Sequence, residues 1–191
     1  MEVKLVQNLD EISILRIAEI HKLNYPDDHL TSHFTLPLLC DYYSNIAELS
    51  DYSIVAYYGN EIVGFAFLGR TFESVLPRLV KNNKNKIFNF ALQKPAIVFK
   101  FFLNKAFSGV YHLDSASNIR LISITSDRKY SKLRIGTTIV AKLEELQAQY
   151  KLDVGLSVRA SNIKAVNFYI KNGYILEGFS KGKLFMVNKN A

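Results

Sequence analysis

From Ile119 to the end of the chain the apolar residues switch period four times, and this alternation constrains the fold more than any other feature. Residues 119–126 alternate as a strand does. Ile135, Ile139, Val140, Leu143 and Leu146 then recur at helical spacing through residue 150, and residues 154–159 return to strand patterning. Residues 162–172 are helical again, closed by Gly173, which lacks the Cβ that disfavours the left-handed position after a helix. Residues 174–179 and 184–187 flank a last turn at 180–183. A chain that alternates in this way is α/β, with helices laid on a central sheet.

The N-terminal half adds one strand and two helices before a hairpin. Residues 3–7 (VKLVQ) predict a first strand. Asp10 stands as an N-cap before Ile12, Leu15, Ile17 and Ile20, and the helix they define ends near Tyr25 and Pro26. A loop over 27–35 carries His29 and His33, and residues 36–49 are helical. Two β-rich runs around Gly59, Asn60 and Glu61 predict a tight hairpin. Residues 72–107 then predict a helical insertion broken at Pro77 and Pro95. The order βααββ, insertion, βαβαββ amounts to one domain over residues 1–191 with a mixed sheet of about seven strands.

Charge narrows the classes further. The net charge of +7 resides between Ser74 and Leu113, where Arg78, Lys81, Lys84, Lys86, Lys94, Lys100 and Lys105 meet no acid. Such a segment fits an anionic partner. Nucleic acid is not expected, because Phe88, Phe90, Phe99, Phe101, Phe102 and Phe107 have helical core uses instead of open stacking. Cys40 is the single cysteine, which excludes an intrachain disulfide, and no metal site is expected from the Cys and His spacings. The first residues lack an apolar signal core and no run reaches eighteen apolar residues, so a cytoplasmic chain that is neither exported nor membrane-spanning is expected.

Two features point to chemistry. DRKYSKLRIGTT, from Asp127 to Thr138, carries a strand end into an abrupt helix start, where outward amides and the helix dipole favour an anion and Lys132 and Arg134 add charge. Alone, the same run also reads as solvated basic surface. Asn162 and Tyr169 lie seven residues apart, on nearly one helical face and about 10 Å apart along the axis. A phenol on such a face packs in a core or, facing a cleft, donates a proton to a leaving group.

SNIKAVNFYIKNGYILEG resembles the N-x-x-A-x-x-x-Y-x-K-x-G-F/Y signature of the GNAT superfamily of acyl-CoA-dependent N-acetyltransferases. Asn162, Ala165, Tyr169, Lys171, Gly173 and Tyr174 stand at its positions, and the element order is similar to that fold from Val3 to Val187. The family's pyrophosphate motif, Q/R-x-x-G-x-G/A, falls on residues 131–136, where only Gly136 matches. Arg134 replaces the usual glycine, and its side chain must point out of the cradle or reach a phosphate.

The resemblance implies acetyl-CoA as donor, with no metal, in a slot where a bulged fourth strand parts from the fifth. Ile124, Thr125 and Ser126 would bind the donor on one side and residues 157–159 would wall the other. The backbone of Ser131, Lys132, Leu133, Arg134, Ile135, Gly136 and Thr137 would hold the pyrophosphate, with Asn162 alongside. A backbone N–H near Ile124 to Ser126 would stabilise the developing oxyanion, an amine would attack directly, and Tyr169 would protonate the departing thiolate. The base is unassigned among Glu177, Asp127, His29 and His33, of which the two histidines are also candidate substrate contacts. His21 is expected on the surface of the first helix and Cys40 among apolar neighbours.

Residues 21–46 are similar to the matching region of members that acetylate amino sugars for surface polysaccharides, which implies a small amine acceptor such as a nucleotide-linked amino sugar. Peptide or protein amines are the alternative acceptors, and a catalytically degenerate CoA-binding module is the alternative to an enzyme. An amphipathic helix over 96–107, with residues 81–94, is expected to border the acceptor site, to touch anionic membrane, or to form a homodimer surface.

Overall fold

Short reversals set the strand registers in this computed structural model, which describes residues 1–26, 29–70, 74–99 and 116–189. Gly59, at φ +60°, starts the two-residue turn that folds β2 (Tyr52–Tyr58) back on β3 (Glu61–Gly69). Lys181 and Gly182 both take positive φ and join β6 (Ile175–Ser180) to β7 (Lys183–Asn188) with the twist a hairpin favours. With β1 (Glu2–Val6), β4 (Ile119–Ser126) and β5 (Val154–Arg159) these form one seven-stranded sheet in the order β1-β2-β3-β4-β5-β7-β6. Only β4 and β5 run parallel.

The helices are α1 (Glu11–Asn24), α2 (Leu36–Leu49), α3 (Val75–Asn82), α4 (Lys84–Gln93), α5 (Ile135–Tyr150) and α6 (Ile163–Lys171). Two apolar clusters cover the sheet. Val63, Ala66 and Leu68 of β3 pack with α5 and α6, whereas Ile62, Phe65 and Phe67 pack with α1, α2 and the insertion. Phe65 to Leu68 alternate as a strand buried on both faces does, and a bulge that leaves Val63 unpaired with β2 shifts the alternation before them. Gly64 lets the first turn of α5 seat on β3, since a Cβ there would stand 2.6 Å from Ile135 Cγ2 and 3.2 Å from the Thr125 carbonyl oxygen.

Three expectations need correction. The apolar spacing in α1 misassigns its buried face: Ile12 is 78% exposed and Leu15 is exposed, while Ile14, Ile17, Ala18, Ile20 and His21 are buried. His21 is 1% exposed and not on the surface. Pro77 breaks nothing, because it lies in the first turn of α3, where its missing N–H has no intrahelical acceptor to serve. The break falls at Asn83.

The insertion's charge is also partly spent within the fold. Arg78 pairs with Glu48, and Lys86 with Asp41 at 2.5 Å, which ties α3 and α4 to α2. The helix breaks at Lys94, as expected before Pro95, and residues 95–99 are helical again, with Ile97 and Val98 packed on the α1/α2 cluster and Phe99 outward. The remainder of the helix expected over 96–107 lies outside the described residues.

Candidate active site

β4 and β5 pair at two positions only, Ile119 with Val154 and Arg120 with Gly155. Beyond them β4 stays bonded to β3 as far as Ser126, and β5 to β7 as far as Arg159. The two strands therefore part, and the edges they would share carry backbone groups with no ladder partner from the other strand. Those edges can bind an extended chain that has its own amides.

A β-bulge at Ile122 opens this gap. β3 pairs Phe67 with Ser123 but Leu68 with Leu121, so Ile122 is the extra residue. Its effect on side chains is visible. Leu121 and Ile124 pack on the α5 side, whereas Ile122 and Ser123 both face α1 and α2. Thr125 and Ser126 follow, half-buried at the open end of the strand.

Past Ser126 the chain makes a 3-10 turn, Arg128–Leu133, whose start is capped by the Asp127 carboxylate on Lys129 N at 2.9 Å. The other Asp127 oxygen meets Arg16 at 2.6 Å, and Arg16 also holds Glu61 at 2.7 Å. Tyr130 donates to Glu61 at 2.6 Å. One arginine on α1 thus anchors the loop, and Asp127 is committed to structure with both oxygens.

Arg134 then takes φ 51°, ψ 36°, and α5 begins without a side-chain cap. The first amides of a helix point outward from it. Thr137 and Thr138 already bond to the Arg134 carbonyl, at 3.0 and 3.2 Å, which leaves the Ile135 and Gly136 end as the open donor group. Ser131, Lys132, Arg134 and Thr137 are exposed, Leu133 is half-buried and the Ile135 side chain is in the core, so Ile135 offers only its backbone. A Cβ on Gly136 would lie 3.5 Å from Phe168 of α6, an ordinary contact. The fold itself tolerates a side chain at Gly136, and its absence keeps a space between α5 and α6 beside these amides.

Asn162 and Tyr169 occupy unlike places. Asn162 is the exposed N-cap of α6, where its carbonyl oxygen accepts from Ala165 N at 3.2 Å, so only its amide NH₂ group reaches outward. Tyr169 is 9% exposed and packs edge-on to Phe168 and Tyr174. Burial, and secondarily the nearby Tyr25 hydroxyl, push its pKa well above the usual phenol value. It keeps its proton throughout the neutral range.

A profile of the acetyltransferase (GNAT) family matches residues 14–174. The chain belongs to that family. As a member it is an acyltransferase that uses acetyl-CoA. Solved structures share the GNAT fold at low identity. The histone acetyltransferase HPA2 and related acetyltransferase of Corynebacterium glutamicum superposes with a TM-score of 0.64 at 13% identity, over 100% of this chain and 98% of that one. The PaiA N-acetyltransferase of Thermoplasma acidophilum, in complex with coenzyme A, gives 0.60 at 14% over 100% of each chain. The ribosomal-protein-S18-alanine N-acetyltransferase of Escherichia coli gives 0.56 at 14%, over 100% of this chain and 96% of that one. No curated protein matches the sequence.

In this GNAT chain α1, α2 and the loop between them cover one side of the sheet. A 3-10 turn, Leu30–His33, is tied to α1 by Lys22, which donates to the carbonyls of Ser32 and Phe34 at 2.7 and 2.8 Å. Phe34 packs on Phe90 of α4 at 5.2 Å, so loop and insertion form one wall. His29 faces inward to Tyr25 and Thr31, and His33 is half-buried on the turn. Glu177 lies on β6 and accepts from Ala116 N at 2.7 Å. Cys40 is half-buried beside the α1/α2 cluster, and burial raises its thiol pKa. Among the described residues no three His, Cys, Asp or Glu side chains converge as a metal site requires, and no helix is long and apolar enough to cross a membrane.

Proposed function

We propose that this chain transfers the acetyl group of acetyl-CoA to the amine of a small anionic acceptor, for which a nucleotide-linked amino sugar is the best fit. The observation that carries the donor half is the parting of β4 from β5 after two paired residues, next to an uncapped helix start. The residues present fit acetyl-CoA. Two unpaired strand edges match the amides of an extended arm, and the open amides, Gly136 and exposed Lys132 and Arg134 match a pyrophosphate.

Acetyl-CoA supplies a thioester whose carbonyl carbon takes the amine and whose sulfur leaves as a thiolate. The chain contributes the surroundings. Backbone N–H groups of Ile124 to Ser126, on the strand freed by the bulge, would donate to the carbonyl oxygen as its charge grows. Tyr169, protonated by burial, would give its phenolic proton to the sulfur. Asn162 would orient the donor through its outward amide group. Lysines 81, 84 and 94 of the insertion favour an acceptor that carries phosphate.

Calorimetry with acetyl-CoA on the wild type and Gly136→Trp tests the donor site, since an indole there fills the space beside Phe168. Binding lost in the variant supports the assignment, and equal affinity overturns it. A panel of a nucleotide-linked amino sugar, a polyamine and a peptide amine then tests the acceptor class. A clear preference for the peptide would replace the amino-sugar reading.

A further inference from the structure

Six polar side chains outside the donor-binding residues make one unbroken line of hydrogen bonds through the α1/α2 side of the molecule. Tyr25 meets Ser123 Oγ at 2.6 Å, Ser123 meets the Tyr43 hydroxyl at 3.2 Å, and Tyr43 meets His21 Nδ1 at 2.7 Å. His21 Nε2 meets Thr31 Oγ1 at 3.0 Å, and Thr31 meets His29 Nδ1 at 2.7 Å. Ser123, Tyr43, His21 and Thr31 are buried, and the two ends, Tyr25 and His29, are half-buried.

Burying four polar groups in an apolar cluster is costly unless each is satisfied, and one or two pairs would suffice to pin α1 to α2. This line does more than pin. It joins the residue that follows the β4 bulge to the loop of the acceptor wall. Its near end, Tyr25, bonds to Ser123, which lies between the bulged Ile122 and Ile124 on β4.

We propose that this line carries the acceptor's proton out of the active site, with Tyr25 meeting the amine and His29 releasing the proton to water; the proposal rests on the reading that acetyl-CoA lies between β4 and β5. Every member is a hydroxyl or an imidazole, so each can donate one hydrogen bond and accept another. The attacking amine gives its proton to the Tyr25 oxygen as Tyr25 passes its own to Ser123. Ser123 passes its proton to Tyr43, and Tyr43 passes its proton to His21 Nδ1. His21 passes its Nε2 proton to Thr31, and Thr31 passes its proton to His29 Nδ1. His29, then carrying two ring protons, returns one to solvent. One N–H bond of the amine is lost and one proton reaches water.

The requirement on His21 is that it stay neutral, because a doubly protonated ring accepts no bond. Burial, and then the charges of His29 and Lys22, push its pKa down to about 3. The groups that face it are Tyr25, stacked at 3.7 Å, Tyr43 at 5.5 Å and His29 at 6.4 Å between ring centres. Asp27 and Asp28 precede His29 in the chain.

The test measures acetyl transfer against pH with glucosamine 1-phosphate, spermidine and an alanine-terminated peptide as amines, for the wild type, Ser123→Ala and Ser123→Thr. The line predicts that Ser123→Ala lowers kcat about 10²-fold near neutrality and recovers as pH approaches the amine's own pKa, with acetyl-CoA affinity unchanged by calorimetry. Ser123→Thr, which keeps the hydroxyl, retains activity. A wild-type profile for Ser123→Ala, or an equal loss at every pH, overturns the proposal. Loss of acetyl-CoA binding in the wild type would instead refute the donor site. Histidine-selective NMR tests the line without any acceptor. A neutral His21 whose tautomer signals move in Ser123→Ala supports it, and a His21 that titrates near its ordinary value and ignores Ser123→Ala overturns it.

Discussion

Lowering the pH should destabilise this fold through one residue, His21. The imidazole titrates near 6.5 in the unfolded chain and about 3 in the folded one, because it is buried beside His29 and Lys22. Between those values the unfolded chain binds a proton that the folded chain refuses. Stability is therefore complete above about pH 6.5 and is lost as pH falls toward 3. Linkage over that window gives about 2 kcal/mol at pH 5 and about 3 kcal/mol at pH 4. For a domain of this size 2 kcal/mol lowers the melting temperature by roughly 4–8 °C. The assay compares melting curves of the wild type and His21→Gln at about pH 8 and pH 5. The variant is weaker at pH 8, since it breaks the bonds to Tyr43 and Thr31. The gap between the two proteins should shrink as pH falls, because other titrating groups act alike in both. Parallel curves would show that His21 does not carry the buried, neutral role argued for it.

Tyr169→Phe should keep acetyl-CoA affinity and lower kcat by about 10² to 10⁴, read from steady-state kinetics alongside calorimetry; unchanged turnover would mean another group protonates the thiolate. Arg134→Gly should raise stability by up to about 1 kcal/mol in denaturant melts, because a left-handed residue with a Cβ is strained, and should weaken acetyl-CoA binding by removing an exposed guanidinium beside the open amides. Gly64→Ala should cost about 1–3 kcal/mol and lower acetyl-CoA affinity together, since the new methyl meets Ile135 and the Thr125 carbonyl and displaces the start of α5.

Much of the fold was legible where the pattern was clean. Ile119–Ser126, Val154–Arg159 and Leu36–Leu49 form as strand, strand and helix at the expected bounds, and all five inward residues named for α5 are buried. The face of α1 was not legible, because Ile12, Ile14, Leu15, Ile17 and Ile20 surround the helix and no single stripe stands out. His21 shares that ambiguity, and its partners lie far off in sequence. Ser123 bonds to Tyr25 across 98 positions and to Tyr43 across 80, pairings that only the tertiary structure creates. The signature helix placed Asn162 and Tyr169, but spacing did not distinguish an exposed cap from a buried phenol. The mismatch at Arg134 was visible as a missing glycine, and its left-handed backbone shows what the glycine would have eased. Charge counting likewise saw a basic segment but not the pairs that Arg78 and Lys86 make with α2.

The central claim is that acetyl-CoA lies in the gap between β4 and β5 with its pyrophosphate at the start of α5. Backbone amide NMR during titration with acetyl-CoA tests it most directly. The account predicts that the largest shifts fall on Ile124, Thr125 and Ser126 of β4 and on residues 131–137, with Ile135 and Gly136 foremost. Shifts that cluster elsewhere, or saturable binding that leaves both segments unmoved, would contradict it.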